Sequence, residues 1–185
     1  MNINDTIVAL STAPGAAAIA VIRLSGDKAI NIAEKVFKSR FGKQLSNQAT
    51  HQVLLGDFHY RKTVIDEVLL SVFKNPNSYT GENVVEISCH GSIFVQQKIL
   101  KILQEMGARL AEPGEFTLRA FLNKKMDLAQ AEAVADLIAA ESEAAHHIAV
   151  QHLRGGISKS LGNLRQRLLS FASLVELELD FSEED

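Results

Sequence analysis

The chain has 185 residues, 46% of them hydrophobic, a formal net charge of −3 and one cysteine, Cys89. That length suits one large domain, or a domain with a smaller appendage, and buries enough surface to need no disulfide or metal staple. A lone cysteine excludes an intrachain disulfide, and the six scattered histidines give no CxxC or HExxH spacing for a metal. The slightly acidic balance argues against a strongly basic nucleic-acid surface on this segment, though it leaves room for a local patch. The opening MNINDTIVAL has neither a basic n-region nor a long apolar core, and no stretch approaches about 18 uninterrupted apolar residues. Neither a signal peptide nor a membrane span is expected. With the cysteine count, this points to a reducing, cytoplasmic setting.

In chain order, Thr6–Leu10 and Ile19–Leu24 are apolar, branched runs separated by Pro14-Gly15, which predicts two strands and a tight link. Ser25-Gly26-Asp27 precedes a helical spacing of apolar residues, Ala29, Ile30, Ile32, Ala33, Val36 and Phe37. Residues 38–50 read as a polar loop. Val53–Tyr60 and Val64–Phe73 read as paired strands around Arg61-Lys62, and Val84–Ser88 as a further strand. Phe94 to Leu103 read as a helix capped by Gly107. Ala108–Ala111 returns as a strand before Pro113-Gly114, and a short helix then ends in Lys124-Lys125.

After Asp127 the pattern changes. Residues 128–180 contain no proline, and nine of the 21 residues from Ala129 to Ala149 are alanine, the best helix former. Gly155-Gly156 interrupts the pattern, which predicts two long helices joined by a turn. The second presents Leu161, Leu164, Leu168, Phe171, Leu174, Val175 and Leu179 as an apolar stripe that two helices alone cannot cover. The last residues, Asp-Phe-Ser-Glu-Glu-Asp, add no closing element, so a fragment boundary is expected there.

Several residues could carry chemistry. The turn-rich segment Asn75–Glu82 reads either as a structured connection or as a ligand loop held by a sheet. Glu86 lies inside Val84-Val85-Glu86-Ile87; it either faces solvent or accepts hydrogen bonds side by side from an amino-pyrimidinone edge such as that of a pterin. Arg23 is placed similarly and suits a carboxylate or phosphate, with an exposed strand arginine as the plain reading. Lys124 and Lys125 read as a solvated helix end, or one of them neutralises an anionic ligand. Residues 155–160 are not GxxxxGK[ST], and no strand precedes them, so nucleotide binding is not expected there. Cys89 and His90, adjacent on a strand, point to opposite faces and make no dyad. His146, His147 and His152 read as solvated.

Three segments go beyond this physical reading. They are Asn4 to Ala9 with Pro14-Gly15 and Ile19 to Gly26; Pro76 to Glu82 with Val85 to Gly91; and Pro113 to Asn123 with Lys125, Asp127 to Ala133 and Asp136 to Ile138. In order and spacing they resemble the bacterial tRNA-modification GTPase family (MnmE, also TrmE). Ala16-Ala17-Ala18, Ser88 and Ser92 depart from its usual pattern.

The resemblance implies an α+β fold. It places a tetrahydrofolate-binding and dimerisation domain, like the folate domain of aminomethyltransferases, at residues 1–123, and the first part of a helical domain at 124–185. It carries the family's binding positions for a 5-formyl-tetrahydrofolate-type carrier onto Arg23, Glu86 and Lys125. It implies a homodimer, an FAD-containing partner (MnmG) and action on the wobble uridine of tRNA. GTP, magnesium and potassium would act in a further domain, so these 185 residues alone should hydrolyse no GTP. Two other readings are a stand-alone folate-dependent aminomethyltransferase and a structural dimerisation module.

Overall fold

Branched apolar runs pair into one seven-stranded sheet. The strands are β1 (Ile7–Leu10), β2 (Ile19–Ser25), β3 (Phe37–Ser39), β4 (Gln52–Tyr60), β5 (Thr63–Phe73), β6 (Val84–His90) and β7 (Arg109–Leu110). The order across the sheet is β3-β4-β5-β6-β2-β1-β7, antiparallel throughout except for the β1–β7 pair. The helices of this part are α1 (Ala29–Val36), α2 (Ile93–Glu105) and α3 (Glu115–Leu122). The computed structural model describes residues 5–182, with side chains through Leu177. The chain divides after Lys125 into two units.

Strand alternation assigns the two sheet faces. Ala20, Ile22 and Leu24 of β2, Val85, Ile87 and Cys89 of β6, and Val68, Leu70 and Val72 of β5 turn inward. They join Ile32 and Val36 of α1 and Ile99 and Leu103 of α2 in one buried core. Burial pushes the Cys89 thiol up to about 11, reinforced by the Asp66 carboxylate, so it is a core side chain rather than a nucleophile. His90 lies on the other face, with its Nδ1 2.6 Å from Asp66 Oδ1. The opposite face keeps Ile19, Val53 and Leu69 exposed, and it also carries Arg23 and Glu86.

Two local expectations are corrected. Residues 37–39 are not helix end and loop: Phe37 pairs with Phe58 as the edge strand β3, because its ring is buried in the core there. The alanine-rich stretch is not one helix. It forms α4 (Leu128–Ala139) and α5 (Glu143–Leu153), followed by α6 (Gly156–Ser182). Ser142 causes the break: its side chain accepts from Ala145 N as an N-cap, a local alternative to continuing the helix.

In this second unit Asp127 and Gln130 form a capping box at the start of α4. Ser158 Oγ donates to Asp127 Oδ2 at 2.6 Å, and Gln130 Nε2 donates to the Leu153 carbonyl, which ties α4 to the α5–α6 corner. Gly155, at φ +80°, makes the expected turn, Gly156 opens α6, and Ser158 serves a structural bond. Leu161, Leu164, Leu168, Phe171, Leu174 and Val175 are exposed, as the uncovered stripe predicts; the Leu179 side chain lies outside the described residues. Among the described residues no helix is long and apolar enough to cross a membrane.

Candidate functional site

β2 and β6 are neighbours, and their antiparallel register sets Arg23 directly opposite Glu86. Directly opposed residues on one face lie within side-chain reach. Arg23 Nε donates to Glu86 Oε1 at 2.8 Å, and Nη2 lies 2.7 Å from the same oxygen. The two side chains are 25% and 28% exposed, so the pair is part-buried yet reachable from solvent. Arg23 Nη1 and Glu86 Oε2 have no partner among the described residues.

Two aromatic rings bracket the arginine. Its Cζ lies 5.2 Å from the Tyr79 ring centroid and 5.6 Å from that of Phe116, both in cation–π range. Tyr79 belongs to the turn-rich segment that follows β5, and Phe116 to α3. The two elements are joined by the Tyr79 hydroxyl and Thr117 Oγ1 at 2.9 Å. Asn123 Nδ2 donates to the Thr80 carbonyl at 2.8 Å, and Lys125 Nζ to the Pro76 carbonyl at 3.0 Å. Gly81 makes this closeness possible. Its φ is +78°, and a Cβ there would come within 3.1 Å of Asn123 Cβ and Lys125 Cγ. Lys125 thus lies on the same loop as Tyr79, but no contact among the described residues joins it to Arg23 or Glu86. Lys124 is exposed, with φ +59°.

Beneath the loop lies a charged network absent from the sequence reading. Arg119 Nη2 meets Asp5 Oδ1 at 2.6 Å and Glu115 Oε1 at 3.1 Å, and its Nη1 meets Glu82 Oε1 at 3.2 Å. Arg109 binds Asp5 and Glu115 from the other side, each at 2.6 Å. Ser25 Oγ donates to Glu82 Oε2 and lies 2.7 Å from Thr80 Oγ1. The network therefore fastens β2, the segment before β1, the turn-rich loop and α3 into one unit. It positions the rings around Arg23. The one local signal was the i,i+4 pair Glu115 and Arg119 in a short helix.

The same network sets an acid limit. Hydrogen bonding from Arg109 holds the Asp5 carboxyl below its ordinary value of 3.8, against the cost of its burial. At Glu115 desolvation pulls the pKa up, but hydrogen bonds from Arg109, the Glu112 amide and Arg119 together hold it below 4.5. Both folded values lie below the unfolded ones, so the stability they contribute is full above the unfolded values and is lost as pH falls through the folded ones. Urea midpoints should hold steady above about pH 5 and fall progressively below about pH 4.5. A midpoint unchanged down to pH 3 would contradict the network's role.

The candidate site is thus an ion pair flanked by two rings, with Lys125 packed on the loop that carries Tyr79. Residues 6–125 match the family described as GTP-binding protein TrmE N-terminus, and residues 128–185 match the MnmE helical domain. The chain is 60% identical over 182 residues to the tRNA modification GTPase MnmE of Flavobacterium psychrophilum, and 53% identical over 182 residues to that of Bacteroides thetaiotaomicron. Each match covers 98% of this chain and 39% of the relative's length. The chain belongs to the TrmE family, matching its N-terminal domain over residues 6–125 and its helical domain over residues 128–185.

Proposed function

We propose that the chain is the N-terminal part of a tRNA modification GTPase, and that its sheet face binds a one-carbon tetrahydrofolate such as 5-formyl-tetrahydrofolate. The Arg23–Glu86 pair, part-exposed and flanked by Tyr79 and Phe116, is the observation that carries this reading. Its groups suit a pterin. Glu86 Oε2 can accept from ring N–H groups, and the aromatic rings offer flat surface beside it. Lys125 adds a charge for the anionic tail. The folate would supply a one-carbon unit; the residues here bind and orient it. With no GxxxxGK[ST] in this sequence, GTP, magnesium and potassium belong to another part of the parent protein.

The same proposal includes a homodimer formed through this first unit, an FAD-containing partner and the wobble uridine of tRNA as the parent's target. Exposed Ile19, Val53 and Leu69 on the sheet face that carries Arg23 and Glu86 favour a covering partner there. A stand-alone aminomethyltransferase finds no nucleophile or general base in the site.

Thermal unfolding with added ligand tests the folate reading. A ligand bound by the folded state alone stabilises it by RT ln(1 + [L]/Kd), about 2.7 kcal/mol at a hundredfold excess over Kd. The melting temperature should climb with the logarithm of 5-formyl-tetrahydrofolate concentration. No rise at millimolar ligand would sink the reading.

A further inference from the structure

We infer that the first unit carries an RNA-backbone interface, the groove between α1 and the C-terminal turn of α2, which takes phosphates of tRNA. The inference rests on the tRNA part of the proposed function for the identity of the polyanion, and it makes no use of the folate face. Charge is divided unevenly along the chain. Residues 1–125 hold fifteen Lys and Arg against eleven Asp and Glu, a formal +4, whereas residues 126–185 hold four against eleven, a formal −7. The net −3 of the whole therefore hides a basic first unit. Within it, Arg23, Arg40, Arg109 and Arg119 are taken up by ion pairs. Among the described residues, Arg61 and the lysines of this unit have no ion-pair partner, so their charge is open to an external anion.

Several of these cations meet at one place. The groove has a volume of about 630 Å³; Lys28, Asn31 and Lys35 line its α1 side, Met106 and Gly107 its α2 side, and Ile32 its floor. Helical spacing puts the two lysines on one face, about 10 Å apart along the axis. The nearby carboxylates are engaged. Glu34 Oε1 accepts from the Ser46 amide and hydroxyl at 3.3 and 3.0 Å, and Glu105 Oε2 accepts from the Tyr60 hydroxyl at 2.7 Å. The Tyr60 bond also ties the β4–β5 hairpin tip to the end of α2. Phe37 lies opposite Phe58, so the last turn of α1 and that tip share one end of the β3–β4 pair. At the tip Arg61 stacks on Tyr60, with Cζ 5.2 Å from the ring centroid, and Arg61 and Lys62 are both exposed. Lys101, also exposed, stands one turn before Glu105 on the same face of α2. The amides of Met106, Gly107 and Ala108 return to the carbonyls of Ile102, Gln104 and Leu103, so the helix end turns few open acceptors toward a phosphate. Unpaired lysines and an arginine around an open groove suit a phosphate backbone, which is held by charge without regard to sequence. None of the exposed large apolar side chains lines the groove, and an amphipathic membrane surface needs such side chains.

The test is fluorescence anisotropy of end-labelled tRNA with the intact chain, at salt concentrations from about 50 to 200 mM. Wild type should bind, with the logarithm of affinity falling linearly against the logarithm of salt. Lys28→Gln combined with Lys35→Gln should weaken binding at least about fivefold and make that slope shallower by about 1.8, some 0.9 for each lost phosphate contact. Both side chains are exposed, so the melting temperature should not move. Arg165→Gln combined with Arg167→Gln removes the same charge from the second unit and should change affinity less than about twofold. An unchanged slope in the groove variant, an equal loss in the control pair, or binding of phosphatidylserine vesicles in place of tRNA would overturn the inference. Absence of binding to the folded chain, where the full-length parent does bind tRNA, would overturn it while the tRNA reading stands. A parent that binds no tRNA would overturn both.

Discussion

Arg119→Met lowers the stability of the chain by about 3–5 kcal/mol, the cost of breaking a buried ion-pair cluster from one side. The side chain is 1% exposed and is the meeting point of Asp5, Glu82 and Glu115. Methionine fills similar volume but donates nothing, so three carboxylates lose hydrogen bonds at once. Glu115, wholly buried, retains only Arg109 as a cationic partner. Domains of this size have about 5–15 kcal/mol in total, so the loss is a large fraction. Urea denaturation followed by circular dichroism reads it as a fall in midpoint at unchanged slope. Arg119 Nε is buried without a partner, so even the native cluster is not fully satisfied. A midpoint within error of wild type would show that the network does not hold the loop and α3 in place.

On the proposed folate reading, Glu86→Gln is expected to weaken binding of 5-formyl-tetrahydrofolate by about 2 kcal/mol or more, some thirtyfold. The amide keeps the shape of the carboxylate, but it removes the charge that holds Arg23 and replaces one acceptor with a donor. Both halves of the pair are disturbed by one atom. Stability should change little, because part-exposed ion pairs contribute about 0.2–1 kcal/mol. Loss of binding in a protein that melts like wild type therefore separates recognition from folding.

Strand alternation put Glu86 on the face opposite Val85 and Ile87 and Arg23 opposite Ile22 and Leu24, but left open whether that face is solvated, because Val84 and Val21 share it. It could not reveal that they pair with each other. Register between strands 63 residues apart is fixed by the whole sheet, and no local pattern encodes it. The aromatic bracket was hidden for the same reason, since Tyr79 and Phe116 meet Arg23 only through the packing of a loop and a helix. The Asp5–Arg119 contact spans 114 positions, and each member alone looks like an ordinary surface charge. In the second unit, alanine content foretold helix correctly. The boundary at Ser142 depended on one capping hydrogen bond, which outweighs propensity locally.

Isothermal titration of the folded chain with 5-formyl-tetrahydrofolate, beside Glu86→Ala, decides whether this sheet face is a folate site. Saturable binding to wild type is expected, with its loss in a variant of unchanged melting temperature. Absence of binding to folded wild type, or equal affinity in both proteins, would contradict it.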